Sequence, residues 1–370
     1  MLPTKTYILS RDEVVELIRF KSLEEGHDPA DVFRNYAAGD WRHMTIPFRP
    51  VPRVASWVAT HEEAEMVRHP KTLIEFMEMY STEEDCRRAL FEHRWPHGFS
   101  CRRCGHEHAW YLQGRGLYEC AGCHFQSSLT AGTVLSCTRT DLRKWFLAIW
   151  LLASTKKAPS AAEFSRQLGV TRKTAWLLRR KIIEAIARGE GELMLRGVVE
   201  LDEGYVGGRR AAPESRGRRQ PGKALVAMAA EHTAGGGLGC AHLRVIADAS
   251  ADSLSAAAQA TIVPGSLVQT DGWSGYVGLE GAGYGHLACT LPTGADVDEW
   301  LPWSHIVLSN FKRWTLDVFH GVSPKHLQAY LDEFCYRLNR RGKREDIFRR
   351  LLNRCVLYGT PATYSLLTGT

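Results

Sequence analysis

Two cysteine pairs, Cys101-Arg102-Arg103-Cys104 and Cys120-Ala121-Gly122-Cys123, are separated by fifteen residues, and few folds can form around them. Four thiolates at this spacing can close a tetrahedral zinc site of the zinc-ribbon kind. Gly105 and Gly122 are expected to ease the turns that aim backbone amides at the sulfurs. Tyr111-Leu112 and Leu117-Tyr118 are expected to form a small hairpin between the two knuckles. A redox C-x2-C pair or unrelated thiols would account poorly for two equally spaced pairs. Because all four positions are cysteine, no coordination position is left open, and the expected zinc is structural rather than catalytic. Cys86, Cys137, Cys240, Cys289, Cys335 and Cys355 show no ligand spacing and read as core residues.

Thiol ligands need a reducing compartment. The start of the chain, Met1-Leu2-Pro3-Thr4-Lys5, has no apolar segment with a cleavage site. Apolar runs such as Phe146 to Ala153 fall far short of the roughly 20 residues that span a bilayer. A cytoplasmic, nucleoid-associated protein is therefore expected. The length of 370 residues suggests two or three domains, with the 44% hydrophobic and 24% charged content of a globular chain.

The net charge of +6 is modest, but its distribution is uneven. Lys156, Lys157, Arg166, Arg172, Lys173, Arg179, Arg180 and Lys181 are opposed only by Glu163. Arg209, Arg210, Arg216, Arg218, Arg219 and Lys223 form a second cluster in a Gly/Pro-rich loop. Two separate basic clusters fit an extended polyanion, although each alone could be a solvated face.

The first of these clusters has internal order. Ser160 to Leu168 reads as a short helix, Gly169-Val170 as a turn, and Thr171 as the N-cap of a second helix. In that second helix Ala175, Leu178, Ile182 and Ala185 make one buried stripe, leaving Arg172, Lys173, Arg179 and Arg180 to face outward and contact DNA. This is the pattern of a helix-turn-helix whose second helix enters a major groove, and equally that of a helical hairpin with a basic exterior.

From Val198 the texture becomes α/β. A strand, Val198 to Leu201, runs into Asp202-Glu203; two more strands, a helix and a fourth strand, Ser266 to Thr270, lead to Asp271-Gly272. If the fourth strand lies parallel to the first, both aspartates reach the same sheet edge, where open α/β sheets place their sites. Paired carboxylates there call for hard divalent cations, Mg²⁺ or Mn²⁺, of the kind that promote phosphoryl transfer. Each aspartate could also be a strand-end cap or turn former, and Asp271-Gly272 is an ordinary turn dipeptide. The reading therefore depends on a third ligand.

Several segments in order resemble bacterial insertion-sequence transposases of the ISXO type. They are Leu201-Asp202-Glu203-Gly204-Tyr205-Val206-Gly207-Gly208, Thr270-Asp271-Gly272-Trp273-Ser274-Gly275-Tyr276 and Gly321-Val322-Ser323-Pro324-Lys325-His326-Leu327. Tyr330-Leu331-Asp332-Glu333-Phe334 and Arg337-Leu338-Asn339-Arg340-Arg341 extend the match. The resemblance implies a ribonuclease-H-like catalytic domain behind a zinc ribbon, with divalent-metal-dependent cutting and joining of DNA at transposon ends. In relatives the third ligand is commonly glutamate or asparagine, seven residues before a lysine. Here the lysine is Lys312 and the position holds His305. Residues seven apart share a helix face, whereas Asn310 points about 140° away from His305 at 100° per residue. The expected catalytic set is thus Asp202, Asp271, His305 and Lys312, with Lys312 on the phosphate backbone. Glu203 is expected on the opposite side of its strand, paired with the basic loop, and Asp332 and Glu333 off the apolar stripe of their helix, facing solvent or partnered with Arg337, Arg340 or Arg341.

The expected organisation is an N-terminal extension (1–70), a zinc-ribbon region (71–138), a helix-turn-helix segment (139–192), a catalytic domain (193–356) and a tail (357–370). The expected partners are terminal inverted-repeat DNA, target DNA and further copies of the chain. A decayed DNA-binding regulator and a nuclease without strand transfer are the alternatives.

Overall fold

The computed structural model describes residues 69–155, 157–207, 223–289, 300–319, 321–342, 346–357 and 367. Residues 1–68 of the N-terminal extension, Lys156, the arginines of the Gly/Pro-rich loop and nearly all of the tail lie outside these residues. The described chain forms two compact units: one runs to Glu190 and resumes at Arg340, and the other is Gly191–Asn339. None of its helices is long and apolar enough to cross a membrane.

The first unit opens with α1 (Leu73–Met79) and α2 (Glu83–Arg94). Thr82 and Asp85 form a reciprocal capping box, which starts α2 where its acidic run begins. A three-stranded antiparallel sheet follows: β1 (Ala109–Leu112), β2 (Leu117–Cys120) and β3 (Gln126–Ser128). The expected hairpin pairs Tyr111 with Tyr118 and Leu112 with Leu117. Next comes α3 (Leu142–Ser154), apolar nearly all round and buried through Trp145, Phe146, Ile149, Trp150 and Leu152. The side chain of Asp141 makes no cap. Instead Glu83 reaches across and accepts from the amides of Leu142 and Arg143 at 2.8 and 3.1 Å.

Helices α4 (Ala161–Leu168) and α5 (Arg172–Glu190) meet at Gly169, whose φ of 61° is the left-handed conformation that ends α4. Ser160 caps α4, and Thr171 accepts from the amide of Thr174 at the start of α5. Ala175, Leu178, Ile182 and Ala185 are all buried, as their spacing predicts. Arg172 and Lys173 are exposed.

The outward placement expected for Arg179 and Arg180 is incorrect: they are only 3% and 8% exposed. Arg179 Nε donates to the Pro159 carbonyl at 3.1 Å, and the Arg180 guanidinium lies over the ring of Trp176. Lys181 is also buried and donates to the Ser136 carbonyl at 2.8 Å. Guanidinium and ammonium groups on long apolar stems can satisfy buried carbonyls, so counting charges along α5 overstated its basic face.

The chain returns to this unit at Arg340 and ends its described part with α9 (Ile347–Leu357), which packs against α2, α3 and α5. Phe348 sits among Phe76, Tyr80, Phe146 and Trp150. Glu190, 2% exposed, lies 2.7 Å from Arg340 and 2.9 Å from Arg354. The Arg354 guanidinium leaves no room for a Cβ on Gly189. The segment 340–356, read from sequence as part of the catalytic domain, therefore belongs to this unit.

The second unit is one five-stranded sheet with helices on both faces. Its strands are β4 (Val198–Val206), β5 (Ala224–His232), β6 (Leu238–Ile246), β7 (Leu267–Asp271) and β8 (Gly285–Cys289), in the order β6-β5-β4-β7-β8. The first three form an antiparallel meander, while β7 and β8 add in parallel. Helix α6 (Ala251–Thr261) makes the crossover to β7, and Leu254 and Ala258 bury one face of the sheet with Val199, Leu201, Val268 and Tyr276. Helices α7 (Pro302–Phe319) and α8 (Leu327–Asn339) cover the other face, packing Val307, Phe311, Leu331 and Phe334 on Val226, Met228 and Leu243. A strand order of 3-2-1-4-5 with only the second strand antiparallel to the rest is the ribonuclease-H-like arrangement. Strand β8 was not expected from sequence. Glu333 is fully buried, so the solvent-facing alternative fails for it, but it lies 3.6 Å from Arg337, one of its expected partners, whereas Asp332 accepts from Gln328.

Candidate active site

Alternation along β4 divides its side chains between the two faces of the sheet. Val199 and Leu201 face α6, while Gly204 and Val206 face α7. Asp202 shares the α7 side. In the parallel pairing of β4 with β7, Val198 stands opposite Leu267, Val199 opposite Val268 and Glu200 opposite Gln269. Two residues further along, the same register brings Asp202 level with Asp271. Both aspartates therefore point to the α7 face from neighbouring strands, about 4.8 Å apart in the hydrogen-bonding direction. Each has one oxygen anchored locally: Asp202 Oδ1 by the Glu203 amide at 2.8 Å, and Asp271 Oδ1 by the Trp273 amide at 3.0 Å.

His305 lies in the first turns of α7, with Nε2 3.2 Å from Oδ2 of Asp202. Asn310 is exposed on the same helix. Lys312, two turns beyond His305, is exposed too; partial desolvation and then the charge of Lys223 hold its ammonium below the usual lysine range. Lys223 immediately precedes β5, so two cations share this side of the sheet. The carboxylate, carboxylate and imidazole donors suit Mg²⁺ or, better, Mn²⁺. Among the described residues only the four cysteines bring three or more ligand atoms within 4.8 Å of one another.

Sequence reasoning missed Tyr276, which is fully buried. Its hydroxyl donates to Glu203, on the α6 side of β4 as alternation requires. Burial raises the Tyr276 pKa well above the usual range, helped by the charges of Glu203, Asp202 and Asp271. Tyr276 is thus a permanent neutral donor beneath the acidic pair. The motif Trp273-Ser274-Gly275-Tyr276 could have signalled it, because Gly275 has no room for a Cβ between the Trp273 ring and the Ala249 carbonyl.

The second centre is the ribbon. Cys101 Sγ lies 3.7 Å from Cys123 Sγ, and Cys104 Sγ lies 3.5 Å from Cys120 Sγ. Zinc–sulfur bonds of about 2.3 Å in a tetrahedron put sulfurs roughly 3.8 Å apart, so the four thiols fit zinc without rearrangement. The two knuckles repeat one geometry. The amides of Cys101 and Cys120 donate to the carbonyls of His106 and Phe125, and those of Gly105 and His124 donate back to Cys101 and Cys120. The residue after each second cysteine is left-handed, with φ of 73° at Gly105 and 56° at His124. The second knuckle therefore uses His124, and not Gly122, at the demanding position. Gly122 is small because the His106 ring packs on it.

The first strand runs on to Val206, past the expected end at Leu201, so Asp202 lies in the middle of β4 and Asp271 at the end of β7. A ribonuclease-H-like sheet with this pair on neighbouring parallel strands, carried with a four-cysteine ribbon, defines a zinc-ribbon DNA transposase. The family description of the ISXO2-like transposase domain matches residues 194–339, and that of the transposase zinc-ribbon domain matches residues 81–126. The chain belongs to the ISXO2-like insertion-sequence transposases. No curated protein matches it at a significant level. Among solved structures, a pre-cleavage Mos1 transpososome is 14% identical, covering 59% of this chain and 80% of that chain with a TM-score of 0.23. A Mos1 strand transfer complex is 11% identical, covering 96% and 100% with a TM-score of 0.25. Overlays this loose add nothing to the fold assignment, which rests on the strand order.

Proposed function

We propose that the protein cuts insertion-sequence ends and joins them to target DNA, with Asp202, Asp271 and His305 holding divalent cations. The observation that carries this reading is the approach of His305 to Asp202 beside Asp271 on the parallel strand. Bound there, Mg²⁺ or Mn²⁺ would activate the attacking water or 3′-hydroxyl and stabilise the leaving oxygen. Asp202, which approaches His305 and lies on the strand beside Asp271, would hold the cations together with those two residues. The backbone amides on Asp202 and Asp271 hold the carboxylates in one orientation. Lys312, with Lys223 beside it, takes a phosphate next to the scissile bond as a point charge.

The zinc ribbon and the α4–α5 pair, acting as a helix-turn-helix, bind the terminal inverted repeats, and the chain works as a homo-oligomer on DNA. Exposed Arg172 and Lys173 supply backbone contacts at the start of α5. Arg179 and Arg180 are excluded from that role by their burial.

The test is incubation of purified protein with inverted-repeat DNA and Mg²⁺ or Mn²⁺. Wild type should give nicked and joined products, while Asp202→Asn and Asp271→Asn should bind the DNA but lose at least about 100-fold in cleavage, on the order of one catalytic electrostatic contact. An Asp202→Asn variant as active as wild type would overturn the reading.

A further inference from the structure

The feature that the proposed chemistry does not use is a buried carboxylate two residues before Asp202. Glu200 is fully buried, and alternation puts it on the α7 side of β4, the same side as Asp202. One oxygen, Oε1, lies 2.8 Å from His232 Nε2 on β5, and the other, Oε2, accepts from the Ser304 amide at 2.7 Å. Ser304 is the third residue of α7, so this amide is one of the first-turn donors that a helix cannot satisfy internally. An anion here also meets the positive end of the helix dipole. The next residue along α7 is His305.

Successive positions on one face of β4 thus engage α7 in order. Glu200 takes Ser304, Asp202 meets His305, and Gly204 lies so close to Leu308 that an added Cβ would come within 2.5 Å of it. The lead-in to α7 is tied to the strand carrying the other aspartate as well. Gln269 Nε2 donates to the Trp300 carbonyl at 3.2 Å, and Trp300 Nε1 donates to the Thr270 carbonyl at 2.9 Å. The start of α7 is therefore fastened to both aspartate-bearing strands. The fastening on β4 is a charged group in the interior, where a merely structural contact could have been apolar.

We infer that Glu200 is a positioning residue: by capping α7 at Ser304 it fixes the register of that helix on β4 and so sets His305 against Asp202. The inference rests on the reading of His305 as a member of the site, and His232 acts with Glu200 by holding its second oxygen. Without the cap, α7 loses an oriented first turn, and His305 loses the tie that reaches β4 from its neighbouring residue.

The experiment uses the full chain labelled at histidine Cε1, with the His305 signal assigned from a His305→Gln variant. Two substitutions separate the cap from the fold. Glu200→Gln keeps an acceptor for Ser304, whereas Glu200→Leu fills the same space without one. At one fixed pH, Glu200→Leu should move or broaden the His305 signal, and Glu200→Gln should leave it near its wild-type position. Circular dichroism should show both variants folded. Mn²⁺ binding by electron paramagnetic resonance should weaken about tenfold in Glu200→Leu, the low end for loss of an outer partner of a metal ligand. In a His305→Ala background the same substitution should have no further effect.

An unmoved His305 signal in folded Glu200→Leu overturns the inference. So does an equal loss of Mn²⁺ binding with and without His305. If His305→Ala binds Mn²⁺ as tightly as wild type while Glu200→Leu still displaces the His305 signal, the positioning role stands and the assignment of His305 as a ligand falls. If Glu200→Leu does not fold, Ser304→Pro takes its place, because it removes the amide donor and leaves Glu200 intact. A displaced His305 signal in that variant supports the positioning role, and an unmoved one overturns it.

Discussion

Nε2 of His305 stands 3.2 Å from Oδ2 of Asp202, the side chain from an early turn of α7 meeting one from the middle of β4. Imidazole is neutral where glutamate would be charged, and it is a softer donor. His305→Ala should therefore cut cleavage at least about 100-fold, the scale of one lost catalytic contact, and His305→Glu should retain activity while shifting the preference from Mn²⁺ toward Mg²⁺. Cleavage rates in each metal, compared across the three proteins, check this. Equal Mg²⁺ to Mn²⁺ ratios in wild type and His305→Glu would contradict it.

The Tyr276 hydroxyl beneath the acidic pair should be needed for structure as well as chemistry. Tyr276→Phe removes one hydrogen bond to the half-buried Glu203 and should cost about 0.5–1.5 kcal/mol in unfolding free energy, the usual net contribution of a single hydrogen bond. Urea denaturation of the two proteins measures it. Because Tyr276 is held neutral, the loss should be the same at pH 7 and pH 9.

Zinc should hold the ribbon together. Cys120→Ser, at a fully buried ligand, should release the metal and lower the melting temperature of the first unit, as should a strong chelator. His124→Gly should act in the opposite direction, because a left-handed non-glycine residue costs roughly 1–2 kcal/mol. Metal content by mass spectrometry and melting by circular dichroism check both.

Two histidines of the first unit make its stability depend on pH. Burial, then the charges of His93 and Arg349, lowers the pKa of His69 to about 4; burial also lowers that of His93, whose Nδ1 donates to Asn353. Both groups are neutral when folded and take up protons near about 6.5 when unfolded. The stability that His69 contributes is complete above that value and is lost as pH falls from there toward about 4, and that of His93 is lost in the same direction. Denaturation midpoints between pH 7 and pH 4.5 should therefore drop, and the drop should shrink in His69→Gln.

The burial of Arg179 separates folding from DNA contact. Arg179→Gln should lower stability with little change in how DNA affinity varies with salt. Lys173→Ala should leave stability intact and reduce that salt slope by about one charge. Fluorescence anisotropy across a salt series, beside thermal melts, tests the pair.

What the sequence made legible was whatever follows from spacing. The four cysteines, the strand order leading to Asp202 and Asp271, and the shared helix face of His305 and Lys312 are periodicities, and folding preserves periodicities. Features that depend on partners distant in sequence were hidden. Glu83 as the cap of α3, the burial of Arg179 and Arg180, and the return of α9 to the first unit all depend on residues far along the chain. His124 was hidden for another reason: side chains other than glycine rarely take the left-handed region, so composition favoured Gly122.

Glu190 gathers Arg340 and Arg354 at the two points where the chain leaves the first unit and comes back. This has a consequence for synthesis. Domains generally form in the order in which they emerge from the ribosome. Here the unit that emerges first lacks Phe348 and both arginines until the whole of Gly191–Asn339 has been translated. The catalytic sheet should therefore be complete on the nascent chain while the zinc-bearing unit still waits for α9. A chain stalled before Arg340 would carry a finished nuclease-like core joined to an unclosed partner, and pulse proteolysis of such stalled chains would reveal the inverted order.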